Sequence, residues 1–198
     1  MRRILVPSIT LALVLSGRLA LPSEARAQYL RPLNDTIATG VTLGAGLGAP
    51  LDGGFEIGGT LEIPVSLDFR FRGDVASGIW QYTADPYTAE PSATFVRHRI
   101  LGSLIRPVIP VGPGRPLGTY WGAGGGVYLT RFSDQPDAVS GGTHVIYGLE
   151  VLSPDRRWLV CAEVQVLFVQ APHRSPYDYR RETELGLHAG IAIKRRLR

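Results

Sequence analysis

Apolar and polar side chains alternate along this chain with a period of two, most strictly at residues 65–76, which read VSLDFRFRGDVA. One parity of this stretch carries Val65, Leu67, Phe69, Phe71 and Val75. The other parity carries Ser66, Asp68, Arg70, Arg72 and Asp74. Because successive side chains of a β-strand point to opposite faces, the stretch predicts a strand with one hydrocarbon face and one charged face.

The same alternation recurs in eight runs that are separated by Gly, Pro, Asp and Ser clusters, and little of the chain has a helical period. The runs lie at about residues 38–48, 55–63, 65–78, 94–106, 118–131, 143–152, 157–169 and 182–194. Each run supplies the ~9–11 residues that a tilted strand needs to cross a bilayer. An even number of antiparallel strands joined in a meander can close on itself and leave no edge.

The predicted connections alternate in character. With a periplasmic N-terminus, the connections at about residues 79–93, 132–142 and 170–181 lie outside, and these are long and polar, whereas the first connection, at residues 49–54, also lies outside but is short. The connections at Pro64 and at residues 153–156 lie on the other side, and these are tight. Long outer loops and short periplasmic turns are typical of bacterial membrane barrels.

The N-terminus has the three regions of a secretory signal peptide. Arg2 and Arg3 precede a mostly apolar run at residues 4–15, and Ala25-Arg26-Ala27 fits the small-x-small cleavage pattern. An uncleaved N-terminal anchor is the alternative, although this run is short for a bilayer span. The sequence therefore predicts a signal peptide at residues 1–27 that is cleaved near Ala27, an irregular lead-in at 28–37, and a barrel at 38–198.

Charge and cysteine content exclude several classes of partner. The whole chain has a formal charge of +4, but residues 1–27 carry four Arg and one Glu, which leaves about +1 for the mature part. Nucleic acid is therefore not an expected partner. A single Cys allows no intramolecular disulfide and no Cys-based metal site. We expect no cofactor.

The charged faces can line either a solvated surface or a barrel interior. A soluble sheet with one wet face also alternates, so the period alone does not distinguish the two arrangements. The mixture of both charge signs with many glycines favours an interior, with the apolar faces turned to lipid. Unpaired charges there would be costly, which predicts a self-neutralising network. Its predicted members are Glu56, Glu62, Asp68, Arg70, Arg72, Asp74, Arg97, Arg99, Glu150, Glu163, Glu184 and Lys194.

Aromatic residues near the ends of the runs predict two belts at the membrane interfaces. Trp121 and Trp158 have the apolar parity and lie near the expected periplasmic ends of their strands. Trp80 and Tyr82 lie at the outer end of the third strand. For each of these side chains an ordinary position in a protein core is the alternative.

With its signal peptide, its eight amphipathic runs and the segment YWGAGGGVYL at residues 120–129, the chain resembles the small outer-membrane β-barrels, whose members include the OmpA-like and OmpX-like eight-stranded domains. The resemblance covers about residues 38–194. It implies an all-β, antiparallel up-and-down transmembrane barrel of about eight strands in the bacterial outer membrane. It also implies outer-membrane lipid, lipopolysaccharide and the barrel assembly machinery as partners. The C-terminus, IKRRLR, departs from the aromatic residue on which such chains usually end.

Candidate catalytic and metal-binding groups are scattered. His173 and Ser175, followed by two glutamates, could form a Ser-His-acid site like those of lipid A deacylases, but flanking prolines predict an outer loop there. The other histidines, His98, His144 and His188, lie on separate runs, and Cys161 is expected to be a small inward filler. We therefore assign no catalytic and no metal-binding residue.

The leading hypothesis is a non-enzymatic outer-membrane barrel with a structural or surface-interaction role, whose bulky interior leaves little open lumen. An outer-membrane lipid-modifying enzyme and a periplasmic or secreted barrel that binds an apolar ligand are the alternatives. The charged inner faces argue against the apolar ligand. The basic tail at residues 194–196 predicts a periplasmic anchor for anionic groups, and the sequence names no ligand for the outer loops.

Overall fold

The structure is a computed structural model that describes residues 36–49, 53–66, 68–82, 93–112, 114–132, 137–171 and 182–197. These residues form eight β-strands. Their bounds are β1 Ile37–Ala49, β2 Gly53–Pro64, β3 Arg70–Tyr82, β4 Ala93–Ile109, β5 Leu117–Phe132, β6 Ala138–Leu152, β7 Trp158–Ala171 and β8 Glu182–Leu197. The proposed signal peptide and most of the lead-in lie outside the described residues.

The eight strands form one closed barrel in which each strand pairs antiparallel with its sequence neighbour. β1 pairs with β8 from Ile37↔Leu197 to Ala49↔Leu185, which closes the sheet. This topology confirms the predicted up-and-down barrel. Closure leaves no unpaired strand edge. The described residues contain no helix that is long and apolar enough to cross a membrane.

The stretch at residues 65–76 is only partly a strand, which corrects the predicted start of the third run. β2 ends at Pro64, which is paired with Arg70, the first residue of β3. Between them the chain turns, and the backbone N–H groups of Val65 and Ser66 donate to the carbonyl of Phe69 at 3.0 and 3.1 Å. Leu67 lies outside the described residues. The alternation runs through the turn, so its period does not mark where pairing stops.

A second boundary also differs from the sequence prediction. β6 begins at Ala138, five residues before the predicted start, and its first residues pair with β5 as far as Ala138↔Thr130. Gly141 and Gly142 interrupt the side-chain pattern there. The backbone ladder nevertheless continues through both glycines, because pairing needs main-chain groups and no side chain.

The outward side chains of all eight strands are mainly apolar and exposed. Phe55 is 77% exposed, Ile100 65% and Ile191 57%. A soluble protein rarely leaves a contiguous apolar surface of this extent in water. The exposed band is the outer surface that a barrel presents to lipid.

The two ends of the barrel differ. One end, called the short-turn end, contains the turns at residues 65–69, 110–116 and 153–157 together with Ile37 and Leu197. At the opposite end, residues 50–52, 83–92, 133–136 and 172–181 lie outside the described residues. The predicted loop at residues 132–142 is shorter than expected, because β6 begins at Ala138. The expected extracellular position of these connections therefore stays a prediction.

Candidate functional site

The inward side chains of the strands form a buried, charge-balanced interior. Among the described side chains, five acids and five bases lie there, each of them 9% exposed or less. The acids are Glu56, Glu62, Asp74, Glu150 and Glu163, and the bases are Arg70, Arg72, Arg97, Arg99 and Lys194. Every one of these residues belongs to the network that the sequence predicts. Equal numbers of opposite charges allow the interior to be neutral without protonation of any acid.

The group nearer the short-turn end, called the lower network, contains Glu62, Arg70, Arg72, Asp74, Glu150, Glu163 and Lys194. Arg72 on β3 reaches across the lumen to Glu163 on β7, with Nη1 and Oε1 2.6 Å apart. The Nε of Arg72 also donates to Asp74 Oδ1 at 2.9 Å. Since β3 and β7 are four strands apart in an eight-stranded barrel, this contact spans its diameter.

Arg70 makes a second contact across the lumen. Its Nη1 lies 3.2 Å from Glu62 Oε2 on β2, and its Nη2 lies 3.1 Å from Glu150 Oε2 on β6. Lys194 joins this network from β8, with Nζ 2.6 Å from Glu62 Oε1 and 3.5 Å from Glu163 Oε1. The lower network therefore links β2, β3, β6, β7 and β8 through the centre of the barrel.

Tyr120 fills the remaining space beside the lower network. Its hydroxyl donates to Glu163. The Arg70 guanidinium carbon and the Lys194 ammonium each lie 5.6 Å from the centre of its ring. A Cβ at Gly148 would lie 2.3 Å from Tyr120 Cζ, so the ring occupies the place of a missing side chain.

The upper network, Glu56, Arg99, Gln165 and His188, lies closer to the opposite end. Arg99 on β4 donates to Glu56 on β2 and, at 3.1 Å, to Gln165 Oε1 on β7. His188 Nε2 lies 3.1 Å from Glu56 Oε1. Further along, Arg97 donates to Thr130 Oγ1 at 3.3 Å and contacts neighbouring aromatic rings.

The two networks leave little free volume. A cavity of about 20 Å³ lies beside Trp80, Arg97 and Tyr128, and one of about 10 Å³ lies between Arg72 and His188. A cavity must offer roughly 10–15 Å³ to hold a single water molecule. The described interior is thus a packed, ion-paired core rather than a pore or an apolar binding cavity.

Of the two remaining members of the predicted charge network, the structure places Asp68 outside the interior and does not describe the side chain of Glu184. Asp68 lies half-exposed in the turn between β2 and β3, where its N–H donates to Ser66 Oγ at 3.3 Å. It is excluded from the interior because β3 begins two residues later. Glu184 lies in β8, and its side chain is outside the described part of the structure.

The structure also corrects one of the predicted interface aromatics. Trp80 has the inward parity of β3 and is 5% exposed. Gly46 and Gly54 give it room, since a Cβ at either position would lie 2.5 Å from its ring. Its ring instead lies 5.8 Å from the Arg97 guanidinium carbon. The strand position predicts an interface residue here, but the parity of β3 decides the face.

The other three predicted belt residues divide between the described and undescribed parts. Trp121 and Trp158 point outward near the short-turn end, where Trp158 is 41% exposed and Trp121 half-exposed. The backbone of Tyr82 ends β3, and its side chain lies outside the described residues.

Several interior polar residues were not assigned to the network from sequence. Tyr120, Gln165 and His188 all have the charged parity of their strands, and that parity was the available signal. Ser103 and His144 are also inward, with Oγ and Nε2 2.7 Å apart, but they are 2% and 1% exposed and out of reach of substrate.

The remaining candidate groups that the structure describes do not assemble into a reactive centre. Cys161 is a buried free thiol, and His98 points outward. Among the described residues, no group of three or more His, Cys, Asp or Glu side chains could hold a metal ion. His173 and Ser175 lie outside the described residues.

The turn between β6 and β7 contains an acid outside the barrel wall. The Ser153 hydroxyl donates to Asp155, and the Arg157 N–H donates to the same Oδ1 at 3.2 Å. The Ser153 hydrogen bond, with help from the Arg157 backbone, lowers the pKa of Asp155. Ser153 Oγ also accepts from the Trp158 N–H at 3.0 Å, which fixes the turn beside the start of β7.

The barrel architecture is shared with known membrane proteins. No protein-family model and no curated protein matches the chain. Among solved structures it is similar to Neisserial surface protein A at 14% identity, over 82% of this chain and 95% of that chain, with a TM-score of 0.51. It is also similar to the outer membrane protein OprG from Pseudomonas aeruginosa at 9% identity, over 82% and 96%, with a TM-score of 0.56.

A third structure, the outer membrane protein AlkL determined in lipid bilayers, matches at 10% identity over 83% of this chain and 90% of that chain, with a TM-score of 0.52. The chain therefore has the fold of the small eight-stranded outer-membrane β-barrels. At these identities the likeness establishes the fold alone.

Proposed function

We propose that this protein is a non-enzymatic barrel of the bacterial outer membrane that presents its outer loops for a structural or surface-interaction role. After cleavage of the signal peptide near Ala27, the barrel assembly machinery would insert it among outer-membrane lipid and lipopolysaccharide. The observation that carries the proposal is the reversed distribution of polarity: apolar side chains cover the outside, and ion pairs fill the inside.

The packed lumen argues against a wide channel. Arg72–Glu163 and Glu62–Arg70–Glu150 both cross the barrel, so ions would have to displace buried salt bridges in order to pass. Breaking a buried pair leaves an uncompensated charge, which is costly. Structural support and recognition through the loops remain as roles that need no open pore.

The described residues also favour a non-enzymatic role. Ser103 and His144 form a close pair, but both side chains are buried inside the barrel, away from lipid and water. A nucleophile must be reachable by its substrate. No observation in the described residues favours the lipid-modifying alternative.

Membrane fractionation with a gel-shift assay tests the location. We expect the mature chain, lacking residues 1–27, in the outer-membrane fraction, with a heat-dependent shift in mobility as the barrel unfolds. Recovery of the mature chain wholly in the soluble periplasmic fraction would contradict the proposal.

A planar-bilayer recording tests the packed lumen. We expect the purified barrel to show only small or erratic conductance. A stable, large, porin-like conductance would show that the ion pairs do not block the lumen, and it would replace the structural role with a transport role.

A further inference from the structure

The short-turn end of the barrel carries a strong excess of positive charge. Six arginines lie there among the described residues, against two acids, Asp68 and Asp155. We call these six arginines the basic collar: Arg106, Arg115, Arg156, Arg157, Arg195 and Arg196. The interior charges balance one another, so the excess belongs to the outside of the molecule.

Two collar arginines interrupt the apolar outer face of their strands near the short-turn end. On β8 the outward residues run Leu185, Leu187, Ala189, Ile191 and Ile193, and Arg195 follows them. On β4 the outward positions run in the same way, with Arg106 after Leu104. An exposed apolar residue follows each arginine, Val108 on β4 and Leu197 on β8, so both arginines lie within the last few residues of the apolar band at the short-turn end.

Each of these arginines is paired across strands with a tryptophan. Arg195 lies opposite Trp158, with its guanidinium carbon 5.9 Å from the ring centre. Arg106 lies opposite Trp121 and also contacts the Phe69 ring at 5.9 Å. Tryptophan prefers the membrane interface, so the two Trp–Arg pairs mark one boundary at two places on the barrel.

The basic collar is also held in position by the fold. Arg196 Nη2 donates to Thr36 Oγ1 at 2.6 Å, and its backbone N–H donates to the Arg157 carbonyl at 2.8 Å. The same side chain donates to the Arg156 carbonyl at 3.3 Å. Lys194, by contrast, points into the lower network, so the basic tail divides between the interior and the collar.

We propose that the basic collar binds anionic phospholipid headgroups in the leaflet that surrounds the short-turn end. This inference rests on the proposed membrane location. Basic residues beside a bilayer attract anionic lipid, and guanidinium groups donate hydrogen bonds to phosphate in pairs. A phospholipid fits better than a free phosphate because its chains would cover the apolar residues that adjoin Arg106 and Arg195.

The opposite end has no comparable excess of basic residues in sequence. Its connections, residues 50–52, 83–92, 133–136 and 172–181, contain five acids and three bases. Lipid selection by charge should therefore be strongest at the short-turn end.

Fluorescence quenching by brominated lipids tests the basic collar directly. In a Trp80→Phe, Trp121→Phe background, Trp158 reports which lipid lies beside it. Vesicles of phosphatidylcholine would contain brominated phosphatidylglycerol or, as the reference, brominated phosphatidylcholine. At low salt we expect brominated phosphatidylglycerol to quench Trp158 at least about threefold more than brominated phosphatidylcholine does, because several arginines act together near the surface.

Substitution and salt separate charge from packing. The triple variant Arg106→Gln, Arg157→Gln, Arg195→Gln should lose the preference, as should the parent protein at about 1 M salt, where the Debye length is about 3 Å. Arg131→Gln, which removes an exposed arginine near the other end, should keep it. A preference that survives the triple substitution would overturn the proposal.

The outcomes also distinguish the basic collar from the membrane location. Quenching by both lipids with no preference would overturn the collar and leave the location standing. No quenching by either lipid would contradict both. Spin-labelled lipids with the unsubstituted protein give the same ratio by electron spin resonance, which keeps the test decisive if the tryptophan substitutions impair folding.

Discussion

At the scale of single residues, the structure places neighbours on the same strand in opposite environments. Arg70 is 4% exposed and reaches two acids in the lumen, whereas Phe71 is 45% exposed on the apolar surface. A shift of one residue in register would exchange these positions along the whole strand. Whether a charged substitution is tolerated at a position should therefore depend first on which face of the strand that position occupies.

Removal of Arg70 should destabilise the barrel by about 3–5 kcal/mol, because it leaves a buried acid without its cation. Arg70→Met leaves Glu150 without its ion-pair partner, while Glu62 keeps its ion pair with Lys194. Adding Glu150→Gln should recover at least about 1 kcal/mol of the loss, as expected for groups in direct contact. Urea unfolding in lipid vesicles measures both values.

A surface ion pair provides the control for the Arg70 and Glu150 substitutions. Arg131 and Asp137 form a pair whose side chains are more than half exposed. Arg131→Met should change the free energy of unfolding by no more than about 1 kcal/mol. Equal losses from Arg70→Met and Arg131→Met would contradict a buried, coupled network.

An arginine placed on the outer face should be costly at mid-height and cheap near the boundary. Ile100→Arg, at the middle of β4, should cost ~2–4 kcal/mol, and Val108→Arg, close to the short-turn end of the same strand, ~0–1 kcal/mol. Reversible unfolding in bilayers gives the two values. A cost that does not depend on depth would argue against a lipid-facing surface.

Residue positions were predictable from sequence only as far as parity could be traced. Parity correctly assigns Arg70, Arg72 and Asp74 to the inward face. It also assigns Asp68 to that face, although Asp68 lies in a turn, because a turn can continue an alternating pattern. Trp80 shows the converse limit. Its residue type and its place near a strand end suggest an interface, while glycines on β1 and β2 leave room for its ring in the interior.

At the scale of strands, inward glycines make space for large side chains on neighbouring strands. Gly148 on β6 lies against the Tyr120 ring of β5, which in turn donates to Glu163 of β7. Gly148 lies between its two cross-strand partners, Tyr120 and Glu163, and therefore leaves room for the hydrogen bond that joins them. Sequence shows the glycines but not which ring each of them accommodates.

Gly148→Ala should push the Tyr120 ring away from Glu163 and destabilise the barrel by about 1–3 kcal/mol, the usual cost of overpacking. Gly141→Ala on the same strand is the matched control, since a Cβ there meets nothing within 4 Å. Thermal unfolding of both variants, followed by tyrosine fluorescence, compares them. A larger loss for Gly141→Ala would contradict this packing.

At the scale of the whole molecule, closure and strand number were predictable from the eight alternating runs. A meander with an even number of amphipathic strands has few other ways to pair its two edge strands. The ion-pair partners did not follow. Arg72 and Glu163 are 91 residues apart, and Arg70 and Glu150 are 80 apart. Such pairs depend on barrel register and on the tilt of opposite strands, which the local pattern does not contain.

The central claim is that the barrel is apolar outside and charged inside, and isoleucine methyl groups test it most directly. In methyl-labelled protein in lipid, NMR cross-peaks to acyl-chain protons report contacts with lipid. We expect such cross-peaks from Ile100 and Ile191, which point outward, and none from Ile105 and Ile146, which are fully buried inside. Acyl-chain contacts from Ile105 and Ile146, with Ile100 and Ile191 showing none, would contradict the account.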